Sequence, residues 1–158
     1  DRHQPTALLL SRQNLPYLPK RDLGDISRGA YVLSEPGDVG LKKKAQAVLI
    51  ATGSEVHLAL QAQTLLAAQK IAVRVVSMPS TTAFDQQDLK YKKAVLPAGL
   101  PRIAVEMGAT DGWWKYGCAA VVGLDRFGES APAPVLFEHF GFTPENVAAT
   151  VRAALGRR

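Results

Sequence analysis

The stretch Ala47-Val48-Leu49-Ile50-Ala51-Thr52-Gly53-Ser54-Glu55-Val56 passes from an unbroken aliphatic run to a turn and then to a helix. Five successive apolar residues with no polar alternation describe a strand buried on both faces, the signature of a parallel sheet. Gly53 serves the turn and Ser54 is a candidate N-cap. From Val56 onward Ala59, Leu60 and Ala67 recur at helical spacing, to about Gln69. The same alternation extends outward from this unit. Residues 73–78, 103–105 and 119–124 are further aliphatic runs, and residues 30–33 add a candidate edge strand before the loop 35–44. Pro79 and Ser80 break the second run. Residues 85–93 then start on Asp85 and end on Lys92 and Lys93, which predicts a helix whose charges complement its dipole. Pro97, Gly99 and Pro101 close that unit. Near the end of the chain Thr143 is placed to cap, Pro144 suits the first helical position and Glu145 the first turn. Val147, Val151, Ala154 and Leu155 then make one apolar stripe that stops at Gly156. The expected fold is α/β: a mostly parallel sheet of about five strands with helices on both faces.

Before this unit the chain reads differently. Residues 7–10 (Ala-Leu-Leu-Leu) look like a strand, and residues 14–21, with Pro16 and Pro19, look like a connector. Residues 1–24 are therefore expected to finish a preceding domain, with the compact unit spanning 25–158. The chain opens on Asp1 rather than Met and reaches an apolar run almost at once. The expectation is a piece of a longer polypeptide.

Composition excludes several classes. With 47% hydrophobic and 21% charged residues in 158, the chain can build a core and is not of the disordered type. No apolar stretch approaches the roughly 18 residues that span a bilayer, and no signal peptide is visible. Cys118 is the only cysteine, so neither an internal disulfide nor a multi-thiolate zinc site is available, and a cytoplasmic address is the simple reading. The net charge of +5 gathers at Lys42, Lys43 and Lys44, at Lys90, Lys92 and Lys93, and at Arg157 and Arg158. None of these knots interleaves with aromatics, so they read as solvated charge rather than a nucleic-acid surface.

Individual candidates are modest. Gly53 and Ser54 could offer backbone N–H groups to an anion, but the glycine spacing of a phosphate loop is missing and a capped helix is the simpler reading. His3, His57 and His139 lack metal-ligand spacing. Cys118 has no base nearby in sequence and reads as a small buried residue. Phe127-Gly128-Glu129-Ser130-Ala131-Pro132 is not a nucleophile elbow and reads as a loop at a strand end. Glu106, Asp111 and Glu129 fall after strands, where open α/β sheets bind ligands; acid–base work and salt bridges or partner contacts are both open to them. Trp113, Trp114 and Tyr116 form an aromatic knot suited to packing or an interface. Arg12 directly follows the apolar run of the leading segment, and its planar fork suits two oxygens of a phosphate.

Taken together, longer phrases resemble those of transketolases. They are Ser11-Arg12-Gln13-Asn14-Leu15-Pro16, Gly29-Ala30-Tyr31-Val32-Leu33, Ile50-Ala51-Thr52-Gly53-Ser54-Glu55-Val56 and Arg74-Val75-Val76-Ser77-Met78-Pro79-Ser80 with Phe84-Asp85. Trp114-Lys115-Tyr116, residues 127–132, Leu136-Phe137-Glu138 and Phe140-Gly141-Phe142-Thr143 continue the set in family order over nearly the whole chain. The resemblance implies the end of the pyrimidine-binding domain, over 1–24, followed by the C-terminal domain of a homodimeric, three-domain enzyme. Such an enzyme moves a two-carbon ketol unit from a ketose phosphate to an aldose phosphate in the pentose phosphate pathway, using thiamine diphosphate with Mg or Ca. The loop around Lys42 to Lys44 matches no family phrase, and residues 117–123 are slightly compressed relative to it.

The family's diphosphate-and-metal motif begins Gly-Asp-Gly and ends in paired asparagines. Here the nearest phrase is Pro36-Gly37-Asp38-Val39-Gly40, and the only asparagines are Asn14 and Asn146. The resemblance therefore implies no catalytic, cofactor-binding or metal-binding residue in this chain, and no cofactor bound to it alone. It carries over one position: Arg12, matching the arginine that holds the substrate phosphate. The C-terminal domain is expected to scaffold and to support the dimer, with no nucleic-acid or membrane partner. The rivals are another thiamine diphosphate enzyme, such as dihydroxyacetone synthase or 1-deoxyxylulose 5-phosphate synthase, and a free-standing binding module of the same fold.

Overall fold

A computed structural model describes Pro5, residues 7–18 and residues 26–156. Among these, five strands form one sheet: β1 (Tyr31–Ser34), β2 (Ala47–Ala51), β3 (Val73–Ser77), β4 (Arg102–Val105) and β5 (Cys118–Val122). The helices are α1 (Glu55–Ala68), α2 (Thr81–Asp85), α3 (Leu89–Val95), α4 (Asp111–Trp114), α5 (Ala133–His139) and α6 (Pro144–Gly156). The strand order is β1-β3-β2-β4-β5, parallel throughout except that β1 runs antiparallel to β3. The predicted α/β class and mostly parallel five-stranded sheet are thus borne out, with the edge strand expected at 30–33 falling at Tyr31–Ser34.

Strand alternation builds two cores. Ala47, Leu49, Val73, Val75, Ile103 and Val105 point to one face, where α1 and α6 cover them through Ala59, Leu66, Val147 and Val151. Val48, Ile50, Val76 and Ala104 point to the other, under Phe84, Val95, Trp113 and Tyr116. The continuous apolar run of β2 is explained by this double burial: all five of its residues are fully buried. Gln63 is the polar exception within the first core. Its amide donates to the Val73 carbonyl at 2.9 Å and its carbonyl accepts from Ser34 Oγ at 2.8 Å, so α1, β3 and β1 share a satisfied polar link.

Arg74, second in β3, and Arg102, first in β4, lie near the strand starts on the second face, and both reach the end of α3. Arg74 Nη1 donates to the carbonyls of Ala94 and Val95 at 2.6 and 3.1 Å; Arg102 Nη2 donates to those of Leu96 and Pro97 at 3.0 and 3.2 Å. A helix leaves its last carbonyls without partners and carries partial negative charge there, so two guanidinium groups satisfy both requirements.

Several local expectations are corrected. The helix predicted over 85–93 is two helices. Ser80 Oγ accepts from Ala83 N at 3.2 Å to cap α2, and Asp88 accepts from Tyr91 N at 2.7 Å to cap α3, so Asp85 ends one helix instead of starting another. Ser54 does not cap α1: its backbone is already helical (φ −66°, ψ −28°) and its hydroxyl donates to Glu55 instead. Thr143 does cap α6, accepting from Asn146 N at 3.2 Å. Residues 7–10 form no strand. They lie at the carboxyl ends of the parallel strands rather than along a sheet edge, so their backbone has no ladder to join, and Leu9 is 90% exposed. The boundary expected near Asp25 falls in residues 19–25, outside the described residues, as does His3.

Candidate functional site

The chain leaves β2 through α1 to reach β3 on one side, then returns through α2 and α3 to β4 on the other side of β2. The carboxyl ends of β2 and β4 therefore flank a topological switch point, the position where open α/β sheets form a ligand crevice. An open cleft of about 640 Å³ lies there, walled by the turns after β2, β3 and β4 and by residues 7–11 of the leading segment.

Two carboxylates dominate this cleft. Glu55, only 6% exposed, accepts from Ser54 Oγ at 3.1 Å, and the nearby backbone N–H groups of Glu55 and Met107 also favour its charged form. Burial nevertheless pushes its carboxyl above the usual value of 4.5. Glu106, which follows β4, is raised by burial and then by the charge of Glu55, against a hydrogen bond from Trp113. The N-terminus of α1, where Gly53 and Ser54 could have met an anion, is thus occupied by the chain's own carboxylate. Glu55 was missed as a site residue in the sequence. Its one visible sign is its position between a fully apolar strand and a helix whose apolar residues cover more than one stripe.

This pair makes stability depend on pH in a definite direction. The folded state holds these protons more tightly than the unfolded chain, so the two groups weaken the fold once pH rises through their elevated values. Their penalty is absent below 4.5 and complete above those values. Glu55→Gln keeps an acceptor for Met107 but removes the charge. The variant is expected to show a flatter fall of Tm with rising pH between 4.5 and neutrality, and a higher Tm at pH 7. Thermal melts with parallel slopes for both proteins would refute the assignment.

The other sequence candidates do not join this pair. Asp111 is exposed at the start of α4. Glu129 lies in the exposed loop 125–132, ion-paired with Arg126 at 2.7 Å, and His139 Nε2 is 3.8 Å from it. Cys118 is partly buried on the β5 edge, and burial pushes its thiol up to about 11, so it is no thiolate nucleophile. Trp113 and Tyr116 are buried in the second core while Trp114 is exposed, so the aromatic knot divides between packing and surface. Arg12 sits exposed on a bend between the cleft and a second hollow bordered by Gln13, Asn14, α5 and α6. No helix among the described residues is long and apolar enough to cross a membrane.

These features define a mostly parallel α/β domain with an antiparallel edge strand, a carboxylate-lined switch point and a leading segment that crosses it. Residues 29–143 match the family model described as the transketolase-like C-terminal domain, and the chain belongs to that family. It is 49% identical to transketolase 1 of Escherichia coli strain K12 over 156 residues, which is 96% of this chain and 23% of that protein. It thus spans about a quarter of such relatives. Among solved structures, transketolase from Leishmania mexicana superposes with a TM-score of 0.75 at 43% identity, covering 84% of this chain and 18% of that one. A split-gene transketolase, solved as an inactive β4 tetramer, gives a TM-score of 0.66 at 26% identity, covering 92% of this chain and 48% of that one.

Proposed function

We propose that this chain is the C-terminal part of a transketolase, an enzyme that moves a two-carbon ketol unit between sugar phosphates in the pentose phosphate pathway. The observation that carries this reading is near-complete coverage of the chain by proteins named transketolase, each of which extends well beyond it. Those names favour it over dihydroxyacetone synthase or 1-deoxyxylulose 5-phosphate synthase. Residues 1–24 then end the pyrimidine-binding domain, residues 25–158 form the C-terminal domain, and the whole enzyme is a cytoplasmic homodimer.

The described residues do not fit thiamine diphosphate and its metal. No group of three or more His, Cys, Asp or Glu among them is placed to hold an ion. In the phrase nearest the family motif, Asp38 turns back to accept from Glu35 N at 2.8 Å. The cofactor therefore belongs elsewhere in the whole enzyme, and the chain alone is inactive. The split-gene tetramer, itself inactive, is consistent with that division.

Arg12 is the position through which this chain would touch substrate. A guanidinium that clamps a phosphate remote from the reacting carbon turns binding energy into positioning of the sugar. In the complete enzyme, Arg12→Ala is expected to lower kcat/KM for phosphorylated sugars by about 2 kcal/mol, roughly thirtyfold, while sparing unphosphorylated ones. Unchanged kinetics with phosphorylated sugars would remove Arg12 from the site. For the chain alone, calorimetric titration with thiamine diphosphate and magnesium should give no saturable heat; micromolar saturation would overturn the division of domains.

A further inference from the structure

A third hollow, of about 340 Å³, opens on the sheet face opposite α1 and α6, between α2, α3 and the end of α4. Its floor is apolar, built from Phe84, Leu96 and Tyr116, with Leu89 exposed at its mouth. Around that floor stand four cations, Lys92, Lys93, Arg102 and Lys115, against a single carboxylate, Asp85.

That carboxylate is already engaged. Asp85 accepts from Lys115 Nζ at 2.6 Å and from the Tyr116 hydroxyl at 2.9 Å. Lys92 donates to the Asp85 main-chain carbonyl, and Arg102 donates to the carbonyls of Leu96, Pro97 and Tyr116. Main-chain carbonyls orient these cations without cancelling their charge. Arg102 Nε is buried with no hydrogen-bond partner. The hollow thus combines an apolar floor with a rim of net positive charge, four cations against one carboxylate, which is the complement of a ligand apolar at one end and doubly negative at the other.

We propose that this hollow binds a small organic phosphate, its phosphate held by Lys92, Lys93 and Lys115 and its apolar part resting on Leu89 and Leu96. Lys90, Lys92 and Lys93 read as a solvated knot in the sequence. Arg74 and Arg102 hold the end of α3, which brings Lys92 and Lys93 to the same opening as Lys115. This site is independent of the reading of the whole enzyme.

The test is titration of the purified 158-residue chain with phenyl phosphate and, separately, with inorganic phosphate, followed by amide chemical shifts in low-chloride buffer. Phenyl phosphate should saturate, shift Lys92, Lys93 and Lys115, and bind at least tenfold more tightly than inorganic phosphate. Lys92→Gln with Lys93→Gln, both away from the core, should weaken it by about tenfold or more, the scale of lost charge-assisted hydrogen bonds. Leu89→Ser should reduce the phenyl phosphate affinity while leaving that of inorganic phosphate unchanged. Equal affinities for the two anions, an unaffected lysine variant, or equivalent shifts at Lys42 to Lys44 would each overturn the proposal.

Discussion

Gly29→Ala is expected to lower folding stability by about 3 kcal/mol or more, in the range where a small domain loses much of its margin. Two penalties coincide at this position. Gly29 has φ +85°, a conformation that disfavours any side chain. A Cβ there would stand 2.3 Å from Phe84 N, 2.4 Å from the Ser80 carbonyl oxygen and 2.9 Å from the Ala83 carbonyl carbon. All three are main-chain atoms, so no rotamer change relieves the contact. Nor can the segments part freely: Ser80 N donates to the Gly29 carbonyl at 3.0 Å, and Phe84 N donates to Ser80 at 3.1 Å. The approach ties the entry of β1 to the start of α2. Gly40→Ala provides the control, because Gly40 has φ +78° but open space around it; its cost should be near the conformational term alone, about 1 kcal/mol. Urea unfolding of both variants separates the two effects. Equal losses would mean that the close approach contributes nothing.

Phe84→Ala should cost about 3–5 kcal/mol, the range for emptying a fully buried aromatic site. Phe84 is 1% exposed, with ring centroids 6.3 Å from Tyr91 and 6.0 Å from Tyr116, and Trp113 continues the cluster 6.1 Å beyond Tyr116. Nothing on the short α2 can fill the space, since Phe84 is the only buried residue of that helix. The effect should extend to its neighbour Asp85. Burial opposes ionisation of Asp85, but hydrogen bonds from Lys115 and Tyr116 outweigh it and hold its carboxyl below the usual range; the Tyr116 hydroxyl, raised first by burial and then by Asp85, stands at about 12. Once α2 loosens, this link should break and the Tyr116 hydroxyl should titrate lower. Phe84→Leu should retain most of the stability. A loss below about 1 kcal/mol for Phe84→Ala would show that the second core tolerates a void there.

The strands were legible wherever one residue's chemistry settles its environment. Five aliphatic residues in a row at 47–51 leave no polar face, so β2 could only lie between two layers. Thr143, Pro144 and Glu145 carry cap, φ and charge preferences that are local, and α6 starts where they place it. The short elements were less legible. In α5, no residue is buried and Pro132 and Pro134 bracket its start, so neither periodicity nor composition separates it from the loop before it. The sequence reading began a helix at Asp85; in the fold Asp88 caps α3 instead, while Asp85 turns toward Lys115, thirty residues away. In the candidate site, Glu106 was readable as a carboxylate at a strand end. Its partner Glu55 was not, because their meeting depends on β2 and β4 being neighbours.

Apolar runs, caps and turn residues therefore determined, from the sequence alone, that this protein is a mostly parallel α/β domain, because burial and backbone preference act over a few residues. The direction of β1, the approach of Gly29 to α2, the pairing of Glu55 with Glu106 and the gathering of Lys92, Lys93 and Lys115 around one hollow were decided only by the tertiary structure. Each needs two segments distant in sequence to be held at a fixed separation. That separation follows from strand order and from how the helices pack on the sheet, which no single stretch of the chain encodes.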